Sequence, residues 1–593
     1  MSSASIVVSS KKHHFLTFLA LLVAILSRVT HSFVLLPVGR HHTLSLLLPK
    51  AKATRQTTFP INMTSNNDNA APPTLEIVGL PSPLERDGRK IPRVSGKEFA
   101  ILVVLIIPLW VATVAPLVVI SQLFRMIKAF FVAPPHKSIP IDSGMTVAKD
   151  QIKPRADRTY DIVVLGFTGF TGRLAARHLA KTHGVNKKVK WAVAGRSKEK
   201  IEAVKQELAD ELNMPEIVKN IDVIVCDTTD PSTMPKLVQD TRCVVTTAGP
   251  FQVYGTRVVE ACAKYGTHYC DITGEVGWVK CMALAFQSAA QETGAKIVSF
   301  CGHDSIPWDL TVYKLNQLLK KNFQDDLKTV KVWNEIIAAP SGGTYETAML
   351  GLEGKAMKAP KCKVDPFLQL PNGEKSTHTT KDVLPIFLDP FVDGRWTSPF
   401  VMAIVNAKVV RWTHALLQQG SPKISYREVM LHADFYTAFV YYVGPLLMGS
   451  LLLSPLTKWL AYQLKLLPRP GQGPDMESML KTNYLLVTAE GIGENGNRAE
   501  STFYFKRDPG YMETASMLVE SGLCLALEEG SDKLISKDKG GFYSPAAALG
   551  DVLLERLVKY LGAEFNSRVV AKGEDEKKLQ EIRDAKKLKL KAT

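Results

Sequence analysis

Apolar positions along the chain fall into two kinds of run. Many are short, rich in Val, Ile and Ala, and lead into a turn marked by Gly or Asp: 160–165, 189–194, 221–226 and 243–247, followed by Gly166, Gly195, Asp227 and Gly249. Between them, apolar residues recur at helical spacing. Short β-branched runs alternating with amphipathic helices predict parallel strands joined by helical crossovers, an α/β doubly wound layer.

Three other runs are long and free of charge. The first, 15–26, follows Lys11-Lys12 and is too short to span a bilayer, which predicts the core of a secretory signal, with Thr30 and Ser32 as small residues before Phe33. Residues 33–66 hold Arg40, Lys50, Lys52 and Arg55 and no acid. That composition fits an organelle transit segment, so 1–66 resembles the two-part presequence of algae with secondary plastids. A plastid membrane is the expected destination; an ER membrane or a lipid droplet is the alternative.

The second run, 99–124, has 26 residues without a formal charge. At ~1.5 Å per residue it extends ~39 Å, enough to cross a ~30 Å hydrocarbon core, and a transmembrane helix is predicted over 98–125 between linkers at 67–97 and 126–157. Pro108 and Pro116 are tolerated in such a helix. Basic residues flank both ends, so orientation is only weakly biased. The third run, 435–457, is interrupted by Gly444-Pro445 and Pro455 and accompanied by Tyr441, Tyr442, Lys458, Trp459 and Lys465. It reads as a hairpin dipping into one leaflet, with a hairpin in the protein core as the other reading.

The 593 residues carry a net charge of +16, which by itself points to nucleic acid. Its distribution does not. Residues 1–66 hold seven basic and no acidic residues, and the tail 568–593 holds nine basic against five acidic, so eleven of the sixteen charges sit at the ends. The body lacks a basic stripe with interleaved aromatics, and no nucleic-acid partner is expected. The eight cysteines form no CxxC pair and no Cys/His cluster with metal spacing, so no metal site is expected and a reducing compartment suits them.

The strongest chemical signal follows the first short run. Gly166-Phe-Thr168-Gly169-Phe170-Thr171-Gly172 separates a strand from a helix starting at about Thr171. In a dinucleotide site the first glycine makes the tight turn, the second lets the backbone approach the pyrophosphate, and the third lets helix pack on strand. The anion then lies on the N–H groups of the helix start. The second strand ends in Gly195-Arg196-Ser197, where an NAD enzyme would place an acid for the ribose 2′-OH. Arg196 instead suits a 2′-phosphate, with Ser197 as a further hydroxyl, so NADP(H) is the expected cofactor. Asp227 and Ala248-Gly249-Pro250, at the ends of the next two strands, are candidate walls of the same site.

Several motifs then match one family. Thr247-Ala-Gly-Pro-Phe-Gln-Val-Tyr-Gly255, His268-Tyr-Cys-Asp-Ile-Thr-Gly-Glu275, Gly302-His-Asp-Ser-Ile-Pro-Trp-Asp-Leu310, Ser341-Gly-Gly-Thr344, Asp508-Pro-Gly-Tyr511 and Gly540-Gly-Phe-Tyr-Ser-Pro-Ala546 resemble the saccharopine dehydrogenase-like oxidoreductases, which include bacterial trans-acting enoyl reductases. His303 and Trp308 depart from the family pattern. The resemblance spans about 158–565. It implies a Rossmann-like NAD(P)-binding domain at 158–305, an inserted α/β substrate domain at 306–505, and a C-terminal segment at 506–565 returning to the first domain before a basic tail at 566–593. It also implies reductase chemistry on a lipid-type substrate.

Hydride transfer needs at most one proton donor beside the cofactor. None of the sixteen tyrosines has Lys four residues later, which excludes the Tyr-x-x-x-Lys arrangement. The motifs place Tyr254, His268, Asp271, Glu275, His303 and Asp304 near the nicotinamide end. Tyr254, His303 and Asp304 are the catalytic candidates; His303 titrates in a useful range, and Asp304 as a cap is the structural alternative. The sequence thus predicts a membrane-associated NADPH-dependent oxidoreductase acting on a lipid, glycolipid or isoprenoid-type substrate at an enoyl or carbonyl group. A non-catalytic NADP-binding membrane or lipid-droplet protein and a saccharopine-type amino-acid dehydrogenase are the alternatives.

Overall fold

The computed structural model describes residues 83–570, apart from 90, 132–140, 304, 341 and short stretches within 353–394, 465–471 and 532–538. The expected presequence and most of the basic tail lie outside the described residues.

Strands β1 (Tyr160–Leu165), β2 (Trp191–Gly195), β3 (Asp222–Val225) and β4 (Thr241–Thr246) form within two residues of the short apolar runs. With β5 (His268–Asp271) and β6 (Lys296–Val298) they pair in parallel in the order 3-2-1-4-5-6. Both faces of β1 are buried: Ile162 and Val164 enter one core cluster, Val163 and Leu165 another. A parallel sheet covered by helices on both sides explains why these strands lack polar alternation.

The apolar run at 99–124 is helical throughout: α1 (Gly96–Ile101) continues through a π-helical turn at Leu102–Ile106 into α2 (Ile107–Phe131). The crossover helices that matter for the site are α3 (Phe170–His183), α4 (Lys198–Leu212), α5 (Thr256–Tyr265) and α6 (Val276–Thr293). From β6 the chain passes into α7 (Ile306–Phe323), whose Trp308, Leu310, Leu315 and Leu319 share one buried cluster with residues of both sheets.

The second sheet contains β7 (Leu327–Ile337), β8 (Thr379–Val383), β9 (Asp389–Pro390), β10 (Trp396–Pro399), β11 (Lys423–His432), β12 (Tyr484–Gly493) and β13 (Arg498–Phe505). Along it lie α8 (Gly342–Leu352), α9 (Ala403–Leu417), α10 (Phe435–Leu452) and α11 (Pro455–Gln463). After α12 (Thr514–Leu527), β14 (Gly541–Tyr543) joins the first sheet beside β6; α13 (Pro545–Arg556) follows, and β15 (Glu564–Val570) joins the second beside β13. The C-terminal segment therefore serves both sheets, and the first residues of the expected tail are strand.

The run at 435–457 does not break at Gly444-Pro445. Helix α10 passes through Pro445 and ends at Leu452, and the turn at Leu453 and Ser454 leads into α11. Pro445 removes one N–H donor from the ladder, and an apolar helix packed along neighbouring helices absorbs that loss. Asp434 caps the start, its carboxylate accepting the Thr437 N–H at 2.9 Å. Helices α1 and α2 run alongside α10 in the same direction: Phe99 meets Tyr436 and Phe439, with ring centroids 4.7 and 5.3 Å apart, Trp110 donates to Ser450 Oγ at 3.0 Å, and Gln122 donates to the Leu453 carbonyl at 2.8 Å.

Candidate active site

The turn after β1 is built around close approach. Gly166 has φ +86°, and a Cβ there would lie 2.9 Å from the Ala248 nitrogen and Thr247 Oγ1. A Cβ on Gly172 would fall 2.2 Å from the Gly166 carbonyl oxygen, so only glycine lets α3 sit this near the strand. The helix starts one residue earlier than expected, at Phe170, with Gly169 as a cap that has no side chain. The N–H groups of Phe170, Thr171 and Gly172 therefore have neither an intrahelical nor a side-chain acceptor and suit an anion. Thr168 is exposed at the lip, and Ala248, Gly249 and Pro250 form the facing wall at the end of β4.

Arg196 is exposed at the end of β2, where a 2′-phosphate would lie. Its charge holds Asp227 below the usual carboxylate range, although the larger contributions come from the Thr229 N–H and hydroxyl, which both donate to that carboxylate. Ser197 caps α4: its Oγ accepts the Lys200 N–H and donates to Glu199. Tyr254 is near Arg196. The Arg196 guanidinium lies 5.8 Å from the centre of its ring, so Tyr254 packs beside the arginine at the end of β2.

At the other end the turn Ser299–Ser305 leads from β6 into α7. Phe300 adopts φ +66°, uncommon for a bulky residue, and is held by its N–H to Asp271 and by edge contacts with Phe367 and Trp412. The His303 N–H donates to Thr514 Oγ1 at 3.0 Å, and its ring packs edge-on against Trp308. Burial pushes the His303 imidazole down to about 3, so it is neutral at physiological pH and does not titrate in the range expected from sequence. Its Nε2 has no hydrogen-bond partner among the described residues. Asp304 lies outside the described residues.

The remaining polar candidates are structural ties. His268 sits at the start of β5, away from the crevice edge, and its Nδ1 accepts the Lys296 N–H. Asp271, raised to about 7 by burial, accepts from Thr273, Ser299 and Phe300. Glu275 accepts the N–H groups of Phe251 and Gln252 at 2.7 and 2.8 Å and so fixes the segment after Pro250. Behind α3, His178 and His183 both place Nε2 within 2.8 Å of Glu520 Oε1, while Arg556 pairs with Oε2. This buried cluster holds the cofactor helix onto α12 and α13.

Two hydroxyls that sequence reasoning left without a role close the crevice. Tyr511 and Thr344 are 2.7 Å apart, and the Tyr511 ring meets Phe170 at 5.6 Å. The segment carrying Tyr511 is pinned at Asp508, whose carboxylate accepts the Tyr511 and Met512 N–H groups. The signal was present as the Asp508-Pro-Gly-Tyr511 motif, but sequence separation hid its partner.

Residues 162–298 match the saccharopine dehydrogenase NADP binding domain. The trans-acting enoyl reductase of Mycobacterium bovis (strain BCG / Pasteur 1173P2) is 32% identical over 425 residues, covering 68% of this chain and 96% of that protein. The trans-acting enoyl reductase of Mycobacterium ulcerans is 31% identical over 425 residues with the same coverage. Saccharopine dehydrogenase (L-Glu forming) of Saccharomyces cerevisiae is 14% identical, with a TM-score of 0.39 over 69% of this chain and 99% of that one. With a glycine cradle shaped for a dinucleotide and a relative matched along nearly its whole length, the chain belongs to the saccharopine dehydrogenase-like oxidoreductases and is an NADP-dependent member of that family.

Proposed function

We propose that the protein is a membrane-associated NADPH-dependent reductase acting on an enoyl or carbonyl group of a lipophilic substrate. The observation that carries the lipophilic part is the position of α8. At one end its Thr344 hydroxyl meets Tyr511 at the crevice. Farther along, Tyr345 and Met349 pack into a cluster with Trp110, Met448, Leu452 and Leu467, residues of or beside the long apolar helices. An apolar substrate held along α8 would have its reactive end at the cofactor and its hydrocarbon end among these helices, without crossing a charged surface.

NADPH, when bound, supplies the hydride. The chain's own part is to cradle the pyrophosphate at Gly166–Gly172, to pair the 2′-phosphate with Arg196, and to keep water from the crevice with Phe170 and Tyr511. The hydroxyls of Thr344 and Tyr511 are the groups able to hand over a proton there, and the neutral imidazole of His303 is able only to orient one. The enoyl reductase relatives support the reaction class.

The test is loss of NADPH absorbance with purified full-length protein in detergent, offered polyketide-type enoyl thioesters, long-chain enones and total lipid extract. Oxidation that depends on an apolar substrate is the expected result. Binding of NADPH without oxidation of any of them would favour a non-catalytic binder, and turnover of saccharopine would favour an amino-acid dehydrogenase. Delivery to a plastid membrane is proposed from the leader alone, and fluorescence of a reporter fused to residues 1–66 tests it.

A further inference from the structure

The long apolar helix has two flanks, and both are anchored on the same folded body. Before it, Leu84 packs against Ile337, Tyr484, Leu486 and Tyr504 of the second sheet. Arg86 grips Glu564 through two bonds of 2.8 and 3.0 Å, and the Val94 N–H donates to Thr437 Oγ1. After it, Ser143 donates to Glu260 of α5 through N–H and Oγ, at 3.0 and 2.7 Å, and Lys264 pairs with Asp142. Arg158, buried, donates to the Thr241 carbonyl and Thr267 Oγ1 in the first sheet. The two sheets share one continuous core cluster, so these flanks cannot lie on opposite sides of a bilayer.

The chain between offers no way back. From Phe131 to Ile141 there are nine intervening residues, including Pro134, Pro135 and Pro140. As helix, nine residues rise only ~14 Å, less than half of a ~30 Å hydrocarbon core. Stretched out, they would carry unpaired backbone groups through lipid, which lipid-exposed chain does not do.

The helix nevertheless has the surface of a membrane element. Over Gly96–Phe124, 29 residues long, Val104, Val111 and Val119 are each more than half exposed, as are Leu446 on α10 and Leu456 and Trp459 on α11. Where this layer meets the folded body, the rings of Phe99, Phe435, Tyr436 and Phe439 cluster, the residue type that collects at headgroup depth. An apolar surface of this extent, bordered by aromatics and interrupted over Gly96–Phe124, α10 and α11 only by Lys97 and Glu98 at the start of α1 and Lys458 on α11, matches a lipid leaflet whose headgroups such side chains can reach.

We propose that α1 and α2 do not span the membrane: together with α10 and α11 they lie in a single leaflet, with residues 83–95 and 141–158 on the same side of it. This arrangement rests on the membrane association proposed above, and it puts the Met349 end of α8 beside the leaflet into which an apolar substrate partitions.

Arg93 and Asp150 are exposed on the two flanks. The seven described cysteines are buried. In full-length protein with Cys362→Ser, R93C and D150C would each be treated with a membrane-impermeant maleimide in sealed vesicles from expressing cells, before and after lysis. The proposal expects both positions to behave alike, either both labelled before lysis or both only after it. Labelling on opposite sides overturns it and leaves membrane association intact. The paired variant Leu446→Asp with Trp459→Glu is expected to move at least about tenfold more protein into the soluble fraction while NADPH binding persists. Wild-type protein that fails to float with phosphatidylcholine vesicles overturns both the proposal and the membrane reading.

Discussion

Two strand-to-helix turns lie on the same edge of the first sheet and use their backbones in opposite ways. The turn from β1 into α3 leaves donors open: its cap is a glycine, and the first N–H groups of the helix face the crevice. The turn from β6 into α7 consumes its donors within the protein. There Cys301 donates to the Asp271 carbonyl, His303 to Thr514, and Ser305 and Ile306 to the Gly302 carbonyl. One turn is an anion cradle made of backbone; the other is a shelf held by its own donors, and it carries His303, whose Nε2 has no hydrogen-bond partner among the described residues. The difference shows that an edge of parallel strands becomes a reaction site by dividing labour, with binding in one turn and positioning in another.

The largest effect should come from closing the cradle. Gly172→Val puts atoms inside the van der Waals radius of the Gly166 carbonyl and should abolish NADPH binding, by about 100-fold or more in a fluorescence titration. A Gly172→Val protein that binds normally would break the contrast between the two turns.

Next is the cluster that holds the cradle from behind. Glu520→Ala leaves Arg556 buried without its carboxylate and should cost about 3–5 kcal/mol in denaturant unfolding. Burial pushes the Glu520 carboxyl up, but hydrogen bonds from His178 and His183 and the Arg556 charge outweigh it and hold the group at about 2. The folded state thus binds this proton less readily than the unfolded chain. The carboxylate's contribution, about 3 kcal/mol, is complete above the unfolded value and is lost as pH falls from about 5 toward 2. Acid unfolding of wild type should show this loss, and Glu520→Gln should remove most of it.

Arg196→Glu should weaken NADPH by about 100-fold while changing NADH little, read as the ratio of the two dissociation constants. An equal loss for both cofactors would mean that Arg196 supports the turn and does not read the 2′-phosphate.

The smallest effect is expected at the shelf. His303→Gln should leave NADPH affinity within about twofold and lower turnover about tenfold. Because the imidazole is held at about 3, the wild-type rate should show no histidine-type ionisation between pH 5 and 8. A pH–rate step near 6.5 that disappears in His303→Gln would show that burial does not control this group.

The glycine turn, the first four strands and the likeness to reductases were legible because they are local. A β-branched run, three glycines and an arginine at the next strand end are all within 37 positions of one another. Three side chains have surroundings that the linear pattern did not show. Ser197 is a cap, Tyr254 lies against Arg196, and His303 is neutral, each fixed by neighbours that a linear pattern does not rank. The Pro445 helix is similar: the proline signals a break, and packing against α1 and α2 overrides it.

By itself the sequence determined the α/β layer, the NADP cradle and the presence of long apolar helices, because periodicity and backbone conformational rules act over a few residues. The tertiary structure alone decided which side chains meet at the crevice and how the apolar helices are tethered. Thr344 and Tyr511 are 167 positions apart, His178 and Glu520 342, and Arg86 and Glu564 478. Hydrogen bonding, desolvation and the tethering of an apolar helix depend on distance in space, and only the packed chain sets that distance.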